Sequence, residues 1–481
     1  MPSETVVESL AKATVSLRYD EISEEARDIA KKLLIDAFAC GIGAYRSPTS
    51  RSAYAFAKKH AVPREATLIG WGEQVSCSTA IIANQAMIRY LDYNDDLPFP
   101  IGPGDLVAAH PSGTLPVALA LAEKTNASGI RLIEALVAGY EIVGRLLSGF
   151  RVSLEVRGLH HGSTLVYGAA AMTGRLLDLS AEQIAHAMGI GGSLTVGLDI
   201  LDAEGEEYTM TKNLADGLIA ERGYTAALLA REGFTGPLRI IEGNKGFAHS
   251  ALGDQDKFVW DEGRGRREGG GEWILNTVIK SMPAEATTHG HLTATCSLVR
   301  EHGITPDLVE RVVVRTNKRT CYHTGDPVKK YPRNKETADH SSYFLTAMAL
   351  IEGAITPRIY KEENYAAPQV CRLIERIELE YGPEFDAIVP AGQVTLFLKD
   401  GRELTRRVEK DELAGEPSKR MTTEGLRAKF LECADGLLTE SRVDEIIERT
   451  LTLESCECLP ALMSRLQVEE DRLAAAPLEV G

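Results

Sequence analysis

The sequence predicts a mainly α protein: a large all-helical domain formed from both chain ends, with a smaller α+β lid domain inserted between them. Three observations carry this expectation. Residues 1–260 read as helix after helix, strand-like runs begin near residue 265, and the helical pattern returns from about residue 412. The expected boundaries are 1–268, 269–411 and 412–481. A chain of 481 residues is long enough to divide into at least two domains.

In the first part, "SEEARDIAKKLLIDAFACGIGAY" opens with a candidate cap, Ser23, carries acids in its first turn and runs an apolar stripe through Ala30, Leu33, Leu34 and Phe38. "TLPVALALAEK", "GIRLIEALVAGYEIVGRLL" and "LVYGAAAMTGRLLDL" follow, and "SAEQIAHAMGIGGSL" starts on a second cap, Ser180. Their many Ala and Gly residues predict closely packed helix axes. The run "GIGGSLTVG" follows a helix rather than a strand, so it is read as an easy helix exit and not as a phosphate cradle.

The charged, Gly-rich "DEGRGRREGGGE" reads as a linker. After it, "WILNTVIK", "ERVVVRTNK" and "RIELEY" read as strands, and "GQVTLFLKDGRELTRRVEK" reads as a hairpin turning at Asp400-Gly401 with Val394, Leu396 and Leu398 alternating inward. Helices are expected between them, at "THGHLTATCSLVREHG" and "ETADHSSYFLTAMALIEG". "TTEGLRAKFLECADGLL" and "RVDEIIERTLTLE" return to the helical period, and the tail past residue 467 is expected to fray.

A formal charge of −16 argues against nucleic acid or an anionic membrane as partner. No apolar run reaches the length of a membrane span, and the N-terminal stretch has acids where a signal peptide would be apolar. Eight cysteines are scattered without a Cys-x-x-Cys, and Cys456-Glu457-Cys458 has no histidine beside it; reduced thiols in a cytoplasmic protein, with no metal set and no iron–sulfur cluster, are the expectation.

The chemistry is sought in loops. "LDYNDDLPFPIGPGDLVAAHPSG", residues 91–113, crowds four aspartates and three prolines before His110, between two helices, and reads either as a solvated loop or as one wall of a site. Of eleven histidines, His60, His186 and His302 read as structural or surface groups, while His249 and His323 stay undecided. His110, His160, His161, His289, His291 and His340 fall in turns beside Gly, Pro or Thr, where an imidazole at a helix N-terminus suits an anion. Lys212 is read either as a carboxylate anchor or as a solvated partner of Glu206 and Glu207. Asp92 and Asp95 follow a helix C-terminus, an unfavourable place for acids, and are read either as orienting a histidine or as a polar turn. An imidazole base, fixed positive charge and a second histidine as acid would suffice for proton removal next to a carboxylate, without metal or organic cofactor.

Taken in order, "DYND…HPSG", "RGLHHGSTLVYGAAAMTGRLLDLSAEQIAHAMGI", "TKNLADGLIAERGYTAALLAREGFTGP", "IIEGNKGF", "KSMPAEATTHGHLTA" and "NKETADHSSYFLTAMALIEG" resemble the MmgE/PrpD family, over about residues 5 to 440. That family contains 2-methylcitrate dehydratase, cis-aconitate decarboxylase and iminodisuccinate epimerase. The resemblance implies a cofactor-independent enzyme, a homodimer, and a site between the helical domain and the lid that takes a small di- or tricarboxylate. It assigns catalysis to His110, His289 and Asp92, and substrate binding to His160, Lys212 and Tyr331, with His161 as the rival of His160. Where family members often carry Thr-Trp, this chain has Asp96-Leu97-Pro98 and a longer loop, which implies a changed pocket wall. Dehydration of a 2-methylcitrate-like or alkyl-substituted citrate is the leading expectation. Decarboxylation of a cis-aconitate-type acid, epimerisation of an amino-dicarboxylate and a non-catalytic metabolite-binding dimer are its rivals.

Overall fold

The structure, a computed structural model, describes residues 4–102, 105–253, 258–260, 272–455 and 459–468. The expected linker at 261–272 apart from Glu272, the Cys456–Cys458 pair and the tail from 469 lie outside the described residues.

The first part is a stack of helices: Val6–Ser16 (α1), Glu24–Gly43 (α2), Pro48–Lys59 (α3), Cys77–Tyr90 (α4), Leu115–Thr125 (α5), Gly129–Gly149 (α6), Leu165–Leu176 (α7), Ala181–Leu194 (α8), Thr211–Arg231 (α9) and Phe247–Leu252 (α10). Ser23 caps α2 by accepting from the Ala26 N–H, and Ser180 and Gln183 close a reciprocal capping box on α8. Small residues let axes approach as expected. A Cβ at Gly223 of α9 would meet the Val166 carbonyl oxygen of α7 at 2.4 Å, so glycine alone fits that crossing.

The second part holds His289–His302 (α11), Lys318–His323 (α12), Lys335–Ala338 (α13), Ser342–Glu352 (α14), Glu362–Tyr365 (α15) and Pro368–Ile374 (α16). Two minimal strands of the first part, Ala66–Thr67 (β1) and Gln74–Val75 (β2), pair with each other, as do Leu97–Gly102 (β3) and Asp105–Ala109 (β4). The larger sheet uses Val309–Thr316 (β5), Ile377–Tyr381 (β6), Gly392–Leu398 (β7) and Glu403–Val408 (β8) in the order β6-β5-β7-β8, with β5 parallel to β6 and the other pairs antiparallel. Val394, Leu396 and Leu398 of β7 point into the core, in the alternation read from the sequence. Helices α11 and α14 pack together, and α11 lies against β7 and β8.

Thr423–Cys433 (α17), Glu440–Leu451 (α18) and Leu459–Met463 (α19) close the chain. Helices α17 and α18 pack on α2, and Phe430, Val443 and Ile446 share one buried cluster with Leu33, Leu34 and Phe38. Lys429 of α17 fixes this junction: its ammonium pairs with buried Asp36 and donates to the carbonyls of Tyr93, at 2.7 Å, and Lys280, at 2.9 Å. The protein is therefore mainly α with small sheets.

Three local expectations differ. The "WILNTVIK" run is a 3-10 turn at Trp273–Asn276 followed by a single bridge between Val278 and Asp96. Trp273 is held against the helical body, its N–H donating to Glu141 and its ring filling the space a side chain at Gly144 would take. The segment 91–113 contains the β3–β4 hairpin, because Pro98 and Pro100 are tolerated in a ribbon whose strands are both edges. The helix expected over 336–353 breaks at Asp339–Ser341, where Ser341 caps α14. Among the described residues no helix is long and apolar enough to cross a membrane.

Candidate active site

The site begins where α4 ends. Arg89 is buried in the last turn of α4, and the chain then leaves the helix through Asp92, which adopts φ 50°. Aspartate tolerates this left-handed conformation better than most residues. The turn aims the Asp92 carboxylate into a cluster of cations: it pairs with Arg89, with Lys280 at 3.0 Å and with Lys212 at 3.5 Å, and Lys280 also donates to the Asp92 carbonyl at 3.1 Å. These cations hold the Asp92 carboxyl well below the usual range against the opposing effect of burial.

Two more acids follow. Asp95 accepts from the Ser112 N–H at 3.2 Å and from the Tyr140 hydroxyl at 2.7 Å, yet burial still pushes it up to about 7. Asp96 is buried with no hydrogen bond to its Oδ1 among the described residues, and burial raises it to about 6. The loop returns through the hairpin to His110, whose Nδ1–H donates to the Asp95 carbonyl at 2.6 Å. Since a carbonyl only accepts, the neutral ring keeps its lone pair on Nε2. Burial, with Arg89 and Lys280 nearby, drives His110 well below its ordinary value, so it is an uncharged base at neutral pH.

The adjacent rings of His160 and His161 are placed differently. His160 turns back into the loop, its Nδ1 accepting from the Gly162 N–H at 3.2 Å. A Cβ at Gly162 would meet Asp216 at 2.5 Å, which explains the glycine after the two histidines. His161 faces the cavity, edge-on to His110 with ring centroids 5.1 Å apart. Burial lowers His160 to about 3 and His161 to about 4.

The α+β part supplies the opposite wall. Lys280 lies just after the Val278 bridge, and His289 stands at the first position of α11, donating from Nε2 to the Ala284 carbonyl at 3.3 Å. Arg319 of α12 forms a two-pronged pair with Glu155 at 2.7 and 3.0 Å. His323 ends α12, and His340 sits in the break between α13 and α14, bonded through Nδ1 to Asp339 at 2.6 Å. Lys335 and Lys212 flank that same aspartate.

These side chains line two adjoining chambers that share Asp96, Leu106, Lys280, Ala286 and Thr287. The inner one, about 50 Å³, is bounded by Arg89, Asp92, His110, His161, Arg319 and His340. The outer one, about 290 Å³, is lined by the β3–β4 hairpin, His289 and residues 386–390.

Of the residues expected at the site, His110, His289 and Asp92 therefore line one continuous cleft. Lys212 lies behind Asp92, 1% exposed, and not beside Glu206 and Glu207. Among the described residues no hydrogen bond joins Asp92 to a histidine; a backbone carbonyl orients His110. Of the two adjacent histidines, His161 lines the inner chamber, while His160 accepts from the Gly162 N–H. Tyr331 stands apart at 40% exposure with its ring under Lys330, and it is not among the residues lining either chamber. His291 is buried inside the α+β part, lines neither chamber, and has no hydrogen-bond partner for either ring nitrogen among the described residues.

Arg89, Glu155, Asp202, Lys280, Glu285, Arg319 and His323 were not singled out in the sequence as site residues, yet they line the inner chamber. One signal was present for Arg89: a lone charge within the otherwise apolar "AIIANQAMIRY", three residues before Asp92, where a buried partner is needed.

Comparison with known proteins fits this arrangement. The profile of the MmgE/PrpD N-terminal domain matches residues 8–259, and that of the MmgE/PrpD C-terminal domain matches residues 282–453. The cis-aconitate decarboxylase of Mus musculus is 26% identical, covering 98% of this chain and 96% of that protein. Its counterpart from Homo sapiens is 27% identical, covering 97% and 95%. The 2-methylcitrate dehydratase of Escherichia coli strain K12 is 25% identical over 77% of each chain. With two family profiles spanning most of its length in the expected order, the chain belongs to the MmgE/PrpD family.

Proposed function

We propose that the protein is a lyase that removes water from a 2-methylcitrate-like or otherwise alkyl-substituted citrate. One observation carries the reading: a neutral imidazole, His110, stands beside a carboxyl, Asp96, that burial keeps protonatable near pH 6. Elimination needs both partners. His110 Nε2 takes the proton from the carbon next to a carboxylate, and the Asp96 carboxyl gives its own proton to the departing hydroxyl. Water and a carbon–carbon double bond result. Lys280, shared by both chambers, and Arg319 offer positive charge to the substrate carboxylates and to the charge that develops as the proton leaves. The inner chamber has room for little more than a water or two, so one end of a citrate-sized acid enters it and the rest occupies the outer chamber beside His289.

Decarboxylation of a cis-aconitate-type acid is the second reading, and the near-complete coverage of the decarboxylase relatives favours it. Incubation with 2-methylcitrate, followed by the ultraviolet absorbance of the unsaturated acid, is expected to give product. Release of carbon dioxide from cis-aconitate with no turnover of alkylcitrates would replace the first reading by the second.

A homodimer, expected from the family resemblance, would find a contact surface in the exposed apolar run Leu194, Val196, Leu198 and Ile200, at the end of α8 and just after it. A second copy of the chain is the occupant this reading assigns to it.

A further inference from the structure

The β3–β4 hairpin is apolar on both faces. Leu97, Phe99, Ile101, Val107 and Ala109 belong to the cluster that packs among α1, α6, α7 and α8. The alternate residues Pro98, Pro100 and Leu106 line the outer chamber, and Ala108 lines the inner one. A ribbon packed on one face ordinarily turns polar side chains to the other. Here the second face shares the outer chamber with Val278, Val389 and Pro390 instead.

Asp96 and Lys280 stand where the two chambers join. Of the other charged groups in the outer chamber, Lys410 and Glu416 pair with each other at 3.8 Å. Asp386 is taken up by the Lys318 N–H at 2.9 Å and the Tyr381 hydroxyl at 2.6 Å, and Asp105 is exposed. Burial pushes Glu416 up to about 7, as fits a carboxyl in apolar surroundings. The polar end of the cleft therefore lies towards the acid–base pair, and hydrocarbon covers much of the rest.

We propose that the outer chamber holds the alkyl substituent of the substrate, an unbranched chain of about six carbons, and that Pro98, Pro100, Leu106 and Val389 select it. The inference rests on the reading of the substrate as an alkyl-substituted citrate and adds the length of the substituent. An apolar cavity of about 150 Å³ takes up benzene. The outer chamber, about 290 Å³, therefore has room for the part of a citrate head that the inner chamber leaves out and for about six more carbons. A methyl group would leave most of the apolar lining against water, whereas a longer chain covers it. Continuity favours a substrate tail over a protein partner, because the chamber opens from the acid–base pair through Asp96, Leu106, Lys280, Ala286 and Thr287.

The test measures binding and turnover on the full-length protein. Calorimetry with 2-methyl-, 2-butyl-, 2-hexyl- and 2-decylsuccinate, which keep two carboxylates and have no hydroxyl to lose, reads the chamber alone. Each methylene is expected to tighten Kd about two- to fourfold up to hexyl, with an increasingly negative heat-capacity change, and the gain levels off by decyl. In turnover, kcat/KM for 2-hexylcitrate is expected to exceed that for 2-methylcitrate about tenfold or more. Leu106→Asp and Val389→Asp, from the two parts of the chain, should each lower the hexyl-to-methyl affinity ratio about tenfold or more. Two separate sites keep the test decisive if one variant fails to fold. Equal affinity along the series, no binding by any member, a turnover preference for 2-methylcitrate, or an unchanged ratio in both variants would overturn the proposal. Failure of the dehydratase reading looks different: the succinates still bind more tightly with length, while no alkylcitrate is turned over.

Discussion

Asp92 and Lys280 are 188 residues apart in the chain, yet the Lys280 ammonium donates to both the carboxylate and the backbone carbonyl of Asp92. This contact joins the end of α4 to the first segment of the α+β part and makes Asp92 the counter-charge for Arg89, Lys212 and Lys280 together.

Asp92→Ala removes the shared partner of three buried cations and places alanine at a left-handed φ. A loss of about 3–5 kcal/mol of stability is expected, visible as a lower midpoint in denaturant and a lower Tm. A change under 1 kcal/mol would mean that the cations find other partners.

Asp95 gives a pH signature. Its folded pKa, about 7, lies above the value of an unfolded aspartate. The stability it contributes is fully present below about pH 4 and is lost as pH rises through about 7. Asp95→Asn should flatten this component, so unfolding free energies of wild type and variant measured from pH 4 to pH 8 should converge or cross with rising pH.

The proposed acid, Asp96, makes a kinetic prediction. If its carboxyl protonates the leaving hydroxyl, kcat/KM falls as pH rises through about 6. Asp96→Asn should lower the rate and remove that limb. A variant that retained the wild-type profile would assign the proton to another group.

The two neighbouring histidines should separate experimentally. His161→Ala is expected to reduce kcat/KM by about 10²- to 10⁴-fold with little change in Tm. His160→Ala, which loses the hydrogen bond to Gly162, should cost about 1 kcal/mol of stability and less activity. The opposite pattern would restore His160 as the residue that meets substrate.

Leu198→Glu puts a charge in the exposed apolar run. The wild-type mass by light scattering is expected to correspond to two chains and that of the variant to one. Equal masses would detach this surface from assembly.

Local pattern reached far in this chain. The caps at Ser23 and Ser180, the alternation through Val394, Leu396 and Leu398, and the turn at Asp400-Gly401 are all decided by residues close in sequence, and all are found in the fold. The hairpin of 97–109 was hidden because proline argues against a strand unless both strands are edges. Site residues followed the same division. His110 and His289 stand out by their turn context, whereas Asp202, Lys280, Arg319 and His323 look like ordinary surface charges until tertiary packing brings segments more than a hundred residues apart to one chamber. Which of His160 and His161 faces the chamber depends on the hydrogen bond that holds the His160 ring back on the Gly162 N–H, and residue identity does not reveal it.

The triple contact of Lys429 has a consequence for how the cleft keeps its width. Its ammonium is bonded to the carbonyls of Tyr93 and Lys280 and paired with Asp36, so the backbones on either side of the cleft are pinned to one side chain that itself touches no part of the cavity. A cation that lies outside the chamber thus sets the spacing of the groups inside it, and a change at α17 would be felt at the Asp92 turn and the Lys280 segment together.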